Sequence, residues 1–542
     1  MSASGGATLV ANTFGRGNAG NVTISATDAV SLEGSSTAIG NQVFEQAVGN
    51  GGSVNITTGT MSLSGDATLI ANTYGRGNAG NVTIRATDAV SLEGSSTGIG
   101  SQVFKDAVGN GGSINITTGI MSVSNGATLV ANTSGRGKAG NVTIRATDIV
   151  SLDGVGTGTQ VTGIGSQALA GAVGEGGNIE ITAGSLAVTN GARLIASTSG
   201  QGNGGDVNIL VRDTVSFDGV GSNGKSSGVF SSVEVGGVGE GGDINVTTNT
   251  LSVANGAVLD AQTQTNFNAG GIIVNAAQSV NLSQASLIAQ STDKFPGAGT
   301  SGDIRINTGN ITAINGTIAT SSEQSSGGDI TITASKIYLF GDSDITTNVD
   351  QGTGGGGDIK LTADSIIAFD DSDILTFAPE GTGGNITLDT RVFFGENYSP
   401  ASSRNDPPDT LDRNNRVDVN ATGTLSSGVI TLPDTTFIQN SLTELPENQI
   451  DTDSLLVNSC IVRRNQPTRG SFTITGFCGL PQRPGDAHMS SFPTVDVETL
   501  PTDSTPSTTN PNRPWQKGDP IVEPQGVYRL PNGKLVLSRE CS

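Results

Sequence analysis

The sequence predicts an all-β solenoid, a parallel β-helix with a small proline-rich C-terminal region that contains a β-hairpin. Three observations predict it. Residues 1–60 and 61–120 align without gaps and are identical at 49 of 60 positions. A shorter motif, Gly-x-[Val/Ile]-x-[Val/Ile/Leu], recurs thirteen times from Gly20 to Gly384, at intervals of about thirty residues. Within each unit, β-branched residues alternate with polar ones, which is the pattern of half-buried strands.

Each unit contains three short strands. In the first unit they are NVTI (21–24), AVSLEG (29–34) and TAIGNQVF (37–44). Alternation at a period of two places Val22 and Ile24 inside and their polar neighbours outside. A single coil cannot bury its apolar side chains, but stacked coils share a continuous core. We therefore expect about thirteen stacked coils and few helices.

Glycine and two insertions complete the pattern of the repeat. The glycine before each first strand is expected to supply a turn that needs positive φ. The insertions GVGTGTQVTG (154–163) and GVGSNGKSSG (219–228) interrupt two coils at similar places. We expect them to form loops on one edge of the solenoid.

Composition places a boundary near residue 396. Residues 1–395 contain 70 of the 79 glycines, and residues 396–542 contain 16 of the 18 prolines. The hairpin is predicted from GVYRL and KLVLS, which flank a Pro-Asn-Gly turn. The predicted organisation is a β-helix over 1–395, a capping region over 396–492, a disordered Pro/Thr/Ser-rich linker over 493–514 and a terminal β-hairpin unit over 515–542.

Charge and composition exclude several classes of function. The net charge of −22 disfavours binding to nucleic acid, because an acidic surface repels the phosphate backbone. The single histidine, His488, excludes a multi-histidine metal site, and we expect it to be a solvated loop residue. No uninterrupted apolar run reaches the length of about 18 residues that a membrane-spanning helix needs.

Two acidic pairs are the candidate site residues. Asp342 and Asp344 precede Asp371 and Asp373 by 29 residues, one coil, so Asp344 and Asp373 are expected to stack. Stacked carboxylates are suited to Ca²⁺ binding or to acid–base cleavage of polysaccharides. They also suit turns, because an Asp side chain accepts hydrogen bonds from backbone N–H groups. We favour the turn role over Ca²⁺, and Ca²⁺ over catalysis, and we assign no catalytic residue and no cofactor.

Two further patterns in the sequence resemble binding motifs. GTGGGGDIKL (352–361) is a loose, single match to the repeated Gly-Gly-x-Gly-x-Asp of calcium β-rolls, and turn glycines explain it better. Ala11-Asn12-Thr13 recurs at 71–73 and 131–133. Such rows form either an ice-binding or sugar-binding face or side-chain ladders between coils, and we favour ladders.

The repeats resemble a known family. GGNIEITAGSLAVTNGARLIASTSGQGNGGDVNI (176–209) is similar to repeats of filamentous-haemagglutinin-type exoproteins, particularly the large repeat proteins of cyanobacteria. RGSFTITGFCGLPQRPGD (469–486) and GDPIVEPQGVYRLPNGKLVLS (518–538) resemble the tail that closes such proteins. The resemblance implies a right-handed β-helix, two-partner secretion through an outer-membrane transporter, and a place at the cell surface or outside the cell.

The chain departs from that family at its start. Members begin with a signal peptide and a secretion domain, and this sequence shows neither. Met1 occupies the repeat position at which Met61 and Met121 recur. We therefore expect the chain to be the C-terminal part of a longer protein or the product of a reading frame assigned from an internal methionine.

Three cysteines, Cys460, Cys478 and Cys541, lie in the C-terminal region and favour an oxidising compartment. One of them must remain unpaired in a monomer, and spacing does not fix the connectivity. The resemblance implies a pairing, because relatives often have a small residue where Cys478 lies. It points to a Cys460–Cys541 disulfide.

The expected function is therefore a structural or adhesive repeat protein of the cell surface. Its expected partners are carbohydrate or a cell-surface receptor, with self-association through the ends of the β-helix. The alternatives are a polysaccharide lyase or hydrolase on the same scaffold, since fold alone does not fix function, and a surface-layer lattice component.

Overall fold

The computed structural model describes residues 1–154, 161–294, 297–398, 411, 414–433, 526–529 and 535–538. The chain divides into two compact units, Met1–Thr435 and Thr436–Ser542. In the second unit, Gly526–Arg529 pairs antiparallel with Leu535–Ser538, which is the predicted hairpin.

The first unit is a parallel β-solenoid of about thirteen turns, so the predicted fold class is confirmed. Every element with defined bounds in the described residues is a strand. The strands form one sheet of 21 strands and one of 14, and all pairings between the named strands of these sheets are parallel. The larger sheet holds the first and second strands of each coil, and the smaller sheet holds the third. One layer of the stack is called a rung below.

The strand bounds follow the three positions in the coil. Separate first strands are Val22–Ser25, Ile114–Thr118, Val142–Ala146, Ile179–Ala183, Val207–Val211, Ile330–Thr333 and Ile430–Thr431. Separate second strands are Ser2–Ser4, Ala29–Glu33, Ile120–Ser124, Ile149–Asp153, Ser185–Thr189, Thr214–Asp218 and Lys336–Phe340. First and second strands are continuous in Val54–Ser64, Val82–Glu93, Ile244–Ala254, Ile272–Ser283, Ile304–Ile314, Ile359–Ala368 and Ile386–Gly395. Third strands are Thr8–Val10, Ala38–Gly40, Thr68–Ile70, Gly98–Gly100, Thr128–Val130, Gly163–Gly165, Arg193–Ile195, Gly228–Phe230, Val258–Asp260, Ser286–Ile288, Thr317–Ala319, Asp344–Thr346, Ile374–Leu375 and Val419–Asn420.

The core is a set of apolar rows that run along the solenoid. Val22 pairs with Val54 and Val54 with Val82, so identical positions of successive units stack. Val22 and Ile24 are buried at 6% and 8% exposure even in the first complete coil, and Val54 and Val82 are fully buried. Stacking removes from water the apolar side chains that a lone coil would expose, which is the main favourable term in folding.

The motif glycines are needed for close packing, which corrects the prediction that they supply positive φ. Gly80 has no positive φ, but a Cβ there would clash with the carbonyl oxygen of Gly52 one rung before. Positive φ falls three residues earlier, at Gly49 (156°) and Gly77 (148°). The recurring glycine therefore allows adjacent rungs to approach each other at a corner.

The predicted insertions and boundary can be placed. Residues 219–227 connect a second strand to a third strand, and Val220 and Ser226 form an antiparallel bridge within them. The insertion at 154–163 occupies the same position, although residues 155–160 lie outside the described part. Val419–Asn420 and Ile430–Thr431 still pair with the stacked sheets, so the solenoid extends past the predicted end at residue 395.

Side chains at the corners of the coil form hydrogen bonds to the backbone of the next rung. At the corner before the first strand, Asn21 Oδ1 accepts the Ser53 N–H at 2.8 Å, and Asp329 Oδ1 accepts the Asp358 N–H at 2.9 Å. These amides have no partner in a strand ladder at that corner, so a short Asn or Asp side chain satisfies them.

Candidate functional site

The predicted acidic pairs come together at the C-terminal end of the solenoid. Pairing of Ile345 with Ile374 and of Ile374 with Val419 places Asp344, Asp373 and Asp418 on three successive rungs. The Asp373 N–H donates to Asp344 Oδ1 at 3.2 Å, and the Asp418 N–H donates to Asp373 Oδ1 at 2.8 Å. Each of these two carboxylates accepts a backbone N–H of the next rung.

The other two predicted residues lie in the adjoining turn. Asp371 Oδ1 accepts the N–H groups of Asn414 and Asn415, both at 3.0 Å. The Asp342 N–H donates to Asn315 Oδ1 at 3.0 Å. Asp371 therefore attaches the chain that returns at Asn414 to the side of the solenoid.

Asp373 is the most perturbed of these carboxyl groups. Its side chain is fully buried, and Oδ2 has no hydrogen-bond partner within the described residues. Burial raises the pKa of Asp373 from 3.8 to about 8; the Asp418 N–H opposes this shift, and the charges of Asp344, Asp418 and Asp371 add to it. Asp418, in contrast, is paired with Arg416 at 2.8 Å. At pH 7 the protonated form of Asp373 therefore predominates.

These contacts give no support to a calcium site. Within the described residues, no group of three His, Cys, Asp or Glu side chains is arranged to hold a metal ion. A Ca²⁺ site needs six to eight oxygen ligands. Here an oxygen of Asp344, of Asp371 and of Asp373 already accepts a backbone N–H, and Asp418 is paired with an arginine.

Several predicted residues cannot be placed. Cys460, Cys478, Cys541 and His488 all lie outside the residues that the structure describes. The proposed Cys460–Cys541 disulfide therefore stays a prediction.

The asparagines of the recurring Ala-Asn-Thr segment form a ladder, as we favoured, but the hydroxyls of Thr73 and Thr133 have no hydrogen-bond partner within the described residues. Asn72 Oδ1 accepts the Gln102 N–H at 2.8 Å, and Asn132 Oδ1 accepts the Gln167 N–H at 2.8 Å. Asn72, Asn132 and the neighbouring threonines Thr73 and Thr133 are buried. They present no exposed face to ice or sugar.

A second charged cluster, which sequence analysis missed, surrounds Arg193. The guanidinium lies 4.0 Å from the centre of the Phe230 ring, and Nε donates to Ser226 O at 3.1 Å. Burial raises the pKa of Asp260, against the effect of hydrogen bonds from Gln262 and Ser232 and of the Arg193 charge. Both Asp260 oxygens are occupied by these internal hydrogen bonds, at 2.9 to 3.0 Å. The cluster holds the loop at 219–227 in place and commits Asp260 to internal hydrogen bonds. Glu234 also belongs to it, and burial raises the pKa of Glu234 against the effect of the Arg193 charge.

An aromatic ladder occupies one corner of the first four coils. Phe14, Phe44, Tyr74 and Phe104 are spaced at 30 residues, and their ring centres are 4.4, 6.2 and 4.2 Å apart. The planes of successive rings are within 23° of parallel. Because the ring faces meet each other, the ladder stabilises the stack and shows mainly ring edges to solvent. The exception is Phe14, which is 70% exposed.

An exposed row that alternates between arginine and valine follows the ladder, two residues after Phe14 and Tyr74 and four residues after Phe44 and Phe104. Backbone bridges align these residues on successive rungs, and we call them the arginine–valine row: Arg16, Val48, Arg76, Val108, Arg136 and Val173. The three valines are 39–44% exposed. The arginines are also exposed, and none of them forms an ion pair or side-chain hydrogen bond with the described residues.

An asparagine row runs beside it and comprises Asn18, Asn50, Asn78 and Asn110. Each Oδ1 accepts the N–H of the next rung at 2.8 to 3.0 Å. Their exposed Nδ2 groups make no hydrogen bond within the described part of the chain. The two rows together form a straight strip of guanidinium groups, amide donors and apolar patches.

The sequence carried a signal for this strip. Gly-Arg-Gly recurs at 15–17, 75–77 and 135–137, and Ala-Val-Gly at 47–49 and 107–109. The two motifs are separated by 32 and then 28 residues because long and short turns alternate. Unequal spacing hid the fact that both motifs lie on one line.

The fold and these surfaces define a β-solenoid repeat protein. No helix in the described residues is long and apolar enough to span a membrane. Comparisons with protein-family models, curated proteins and solved structures gave no match. The resemblance to filamentous-haemagglutinin-type exoproteins therefore stays a prediction.

Proposed function

We propose that the chain is a structural and adhesive repeat protein of the cell surface or the extracellular space, exported by two-partner secretion. The observation that carries the proposal is the strip formed by the arginine–valine and asparagine rows. Exposed guanidinium groups and amide Nδ2 groups that have no hydrogen-bond partner in the described chain recur there on a stacked scaffold.

The carboxylates favour adhesion over the enzymatic alternative. Carboxylates of a glycosidase must be free to face the sugar on both sides of the scissile bond. Asp373 is buried against the returning chain, and Asp260 is occupied by Ser232 and Gln262. Asp373 and Asp260, two buried carboxyl groups whose pKa is raised, thus have structural partners.

Bead attachment tests the proposal. Beads coated with the purified chain should attach to cells or to immobilised glycans more strongly than beads coated with an unrelated solenoid of equal charge. Equal attachment of both bead types would refute adhesion. Release of reducing ends from a polysaccharide panel would support the lyase or hydrolase instead, and ordered self-assembly of the chain with Ca²⁺ would support a surface-layer component.

A further inference from the structure

The arginines of the arginine–valine row lack the acidic partners that other arginines of the chain have. Arg212, Arg305 and Arg416 each lie 2.7 to 3.0 Å from an aspartate. The chain has 49 acidic residues for 27 basic ones, so carboxylates are plentiful. Arg16, Arg76 and Arg136 nevertheless face solvent without one among the described residues. Their charge is available to an external anion.

The spacing of these arginines indicates how the negative charges of that anion should be spaced. Adjacent rungs are about 4.8 Å apart, so consecutive arginines are separated by about 10 Å and the three span about 19 Å. Backbone bridges between Arg16, Val48, Arg76, Val108 and Arg136 keep these residues aligned from each rung to the next. An anionic polymer that lies along the solenoid would meet one guanidinium at every second rung.

The charge density of the row argues against nucleic acid. Double-stranded DNA carries one negative charge per about 1.7 Å, several times denser than one arginine per about 10 Å. The excess phosphates would be repelled by a protein whose net charge is −22. A polymer with sparse, regular charges fits the row better.

The remaining groups of the strip suit a sugar polymer. A guanidinium binds a carboxylate through two parallel hydrogen bonds. The exposed valines between the arginines can cover the apolar C–H face of an uncharged sugar, and the Nδ2 groups of the asparagine row can donate to hydroxyl oxygens. The carboxylate, the apolar face and the hydroxyl groups of such a polymer therefore each have a partner in the strip, and these partners recur every two rungs.

We infer that this strip binds a linear polysaccharide in which carboxylated sugars alternate with uncharged ones, laid along the first five coils. The inference rests on the proposed adhesive function and names its ligand class. It gives the chain a binding face that the acidic pairs do not provide.

The experiment measures binding of the full chain to hyaluronan, with neutral dextran and dextran sulfate as comparison polymers. The test variant is Arg76→Gln with Arg136→Gln. The matched control is Arg85→Gln with Arg145→Gln, since these exposed arginines are also two rungs apart, on the outer face of the first strands, and the charge change is identical. We expect hyaluronan binding to fall about tenfold in the test variant and to remain within about twofold of the parent in the control.

Four results would overturn the inference. They are no binding of the parent chain to hyaluronan, equal loss in the two variant pairs, equal binding to dextran, and stronger binding to dextran sulfate. Bead attachment separates this inference from the broader proposal. If beads carrying Arg76→Gln and Arg136→Gln attach to cells as well as parent beads, adhesion stands and this strip is not its site. If the parent binds hyaluronan but its beads do not attach, the strip stands and adhesion fails.

Discussion

Asn41 is a buried side chain in an environment that suits serine. It is fully buried, and neither Oδ1 nor Nδ2 has a hydrogen-bond partner in the described residues. Two coils later the same position is Ser101, whose Oγ donates to Gly80 O at 2.7 Å and accepts the Gly112 N–H at 3.0 Å. The carbonyl and amide of the neighbouring corner are therefore satisfied by serine.

Replacing Asn41 with Ser should stabilise the first coils. An unsatisfied buried polar group costs about 1–3 kcal/mol, and the serine hydroxyl restores the two hydrogen bonds seen at Ser101. We expect a gain of about 1–3 kcal/mol in the opening free energy of Val54–Ser64, measured by hydrogen exchange. Ser101→Asn is the reciprocal control and should lose stability. A loss in both variants would contradict this account.

Asp373 should make the end of the solenoid sensitive to pH. Its pKa is about 8 in the folded chain against 3.8 as its usual value, so the folded state holds a proton that the unfolded state releases. The associated stability is fully present below about pH 4 and is lost as the pH rises through about 8.

The variant Asp373→Asn tests this dependence, because an amide stays neutral at every pH. Each pKa unit is worth about 1.4 kcal/mol, so the variant should exceed the parent by about 2–5 kcal/mol at pH 9 and by much less at pH 5. The measurement is hydrogen exchange of Ile374–Leu375 and Val419–Asn420, compared at equal pH. Asp329→Asn removes an exposed carboxylate with a similar ladder contact and should show no such difference. A gain of equal size at both pH values would rule out titration as the cause.

At the scale of single strands, sequence alone predicted most of the arrangement. Alternation placed Val22 and Ile24 inside and Asn21 and Thr23 outside, and the structure agrees. The role of the motif glycines was wrong, because a contact between rungs is invisible in the pattern of one coil. Only stacking reveals that a Cβ at Gly80 would meet the carbonyl oxygen of Gly52.

The turn glycines permit a test with a matched control inside the chain. Gly75 and Gly15 are the same position of the Gly-Arg-Gly motif, but only Gly75 has a preceding rung. A Cβ at Gly75 would lie 2.7 Å from Ala47 O and would also clash with Phe44 O, whereas a Cβ at Gly15 meets nothing within 4 Å. Gly75→Ala should therefore cost about 1–3 kcal/mol by overpacking.

Gly15→Ala should leave stability within about 0.5 kcal/mol of the parent, because it is a surface change without a clash. Both variants are measured by hydrogen exchange of the adjoining third strands, Thr8–Val10 and Thr68–Ile70. Similar losses of stability in the two variants would mean that the glycine is required by the backbone conformation of the turn and not by the contact between rungs.

At the scale of the whole solenoid, repeated parts were predictable and unrepeated ones were not. The coil number follows from thirteen motifs, but the burial of Asp373 depends on the chain that returns through Asn414 and Asn415. That segment has no counterpart in other coils, so its position against Asp371 and Asp373 could not be predicted from the repeat pattern. The arginine–valine row was missed for a different reason, since turn length varies between the coils that carry it.

Deleting residues 61–120 should give a shorter solenoid that still folds. Thr60 would then precede Met121, and the sequence around the junction stays that of the repeat. Asp28 and Asp213 lie in one corner row, six rungs apart, and would become four rungs apart. Spectroscopic labels on non-canonical amino acids at these positions should therefore approach each other from about 29 Å to about 19 Å. An unchanged distance, or loss of the β-sheet signal, would contradict independent stacking.

The alternation of long and short turns determines how the affinity of the strip for a polymer would increase with the number of repeats. Because one arginine and one valine recur with every 60 residues, each duplicated block would add one complete contact in register with the last. Contacts to a single long polymer reinforce each other, since once one engages the next faces a high effective concentration of ligand. Free energies of linked contacts sum, so affinities multiply. The number of 60-residue blocks would thus set the avidity for the polymer, and avidity would change without any new kind of binding surface.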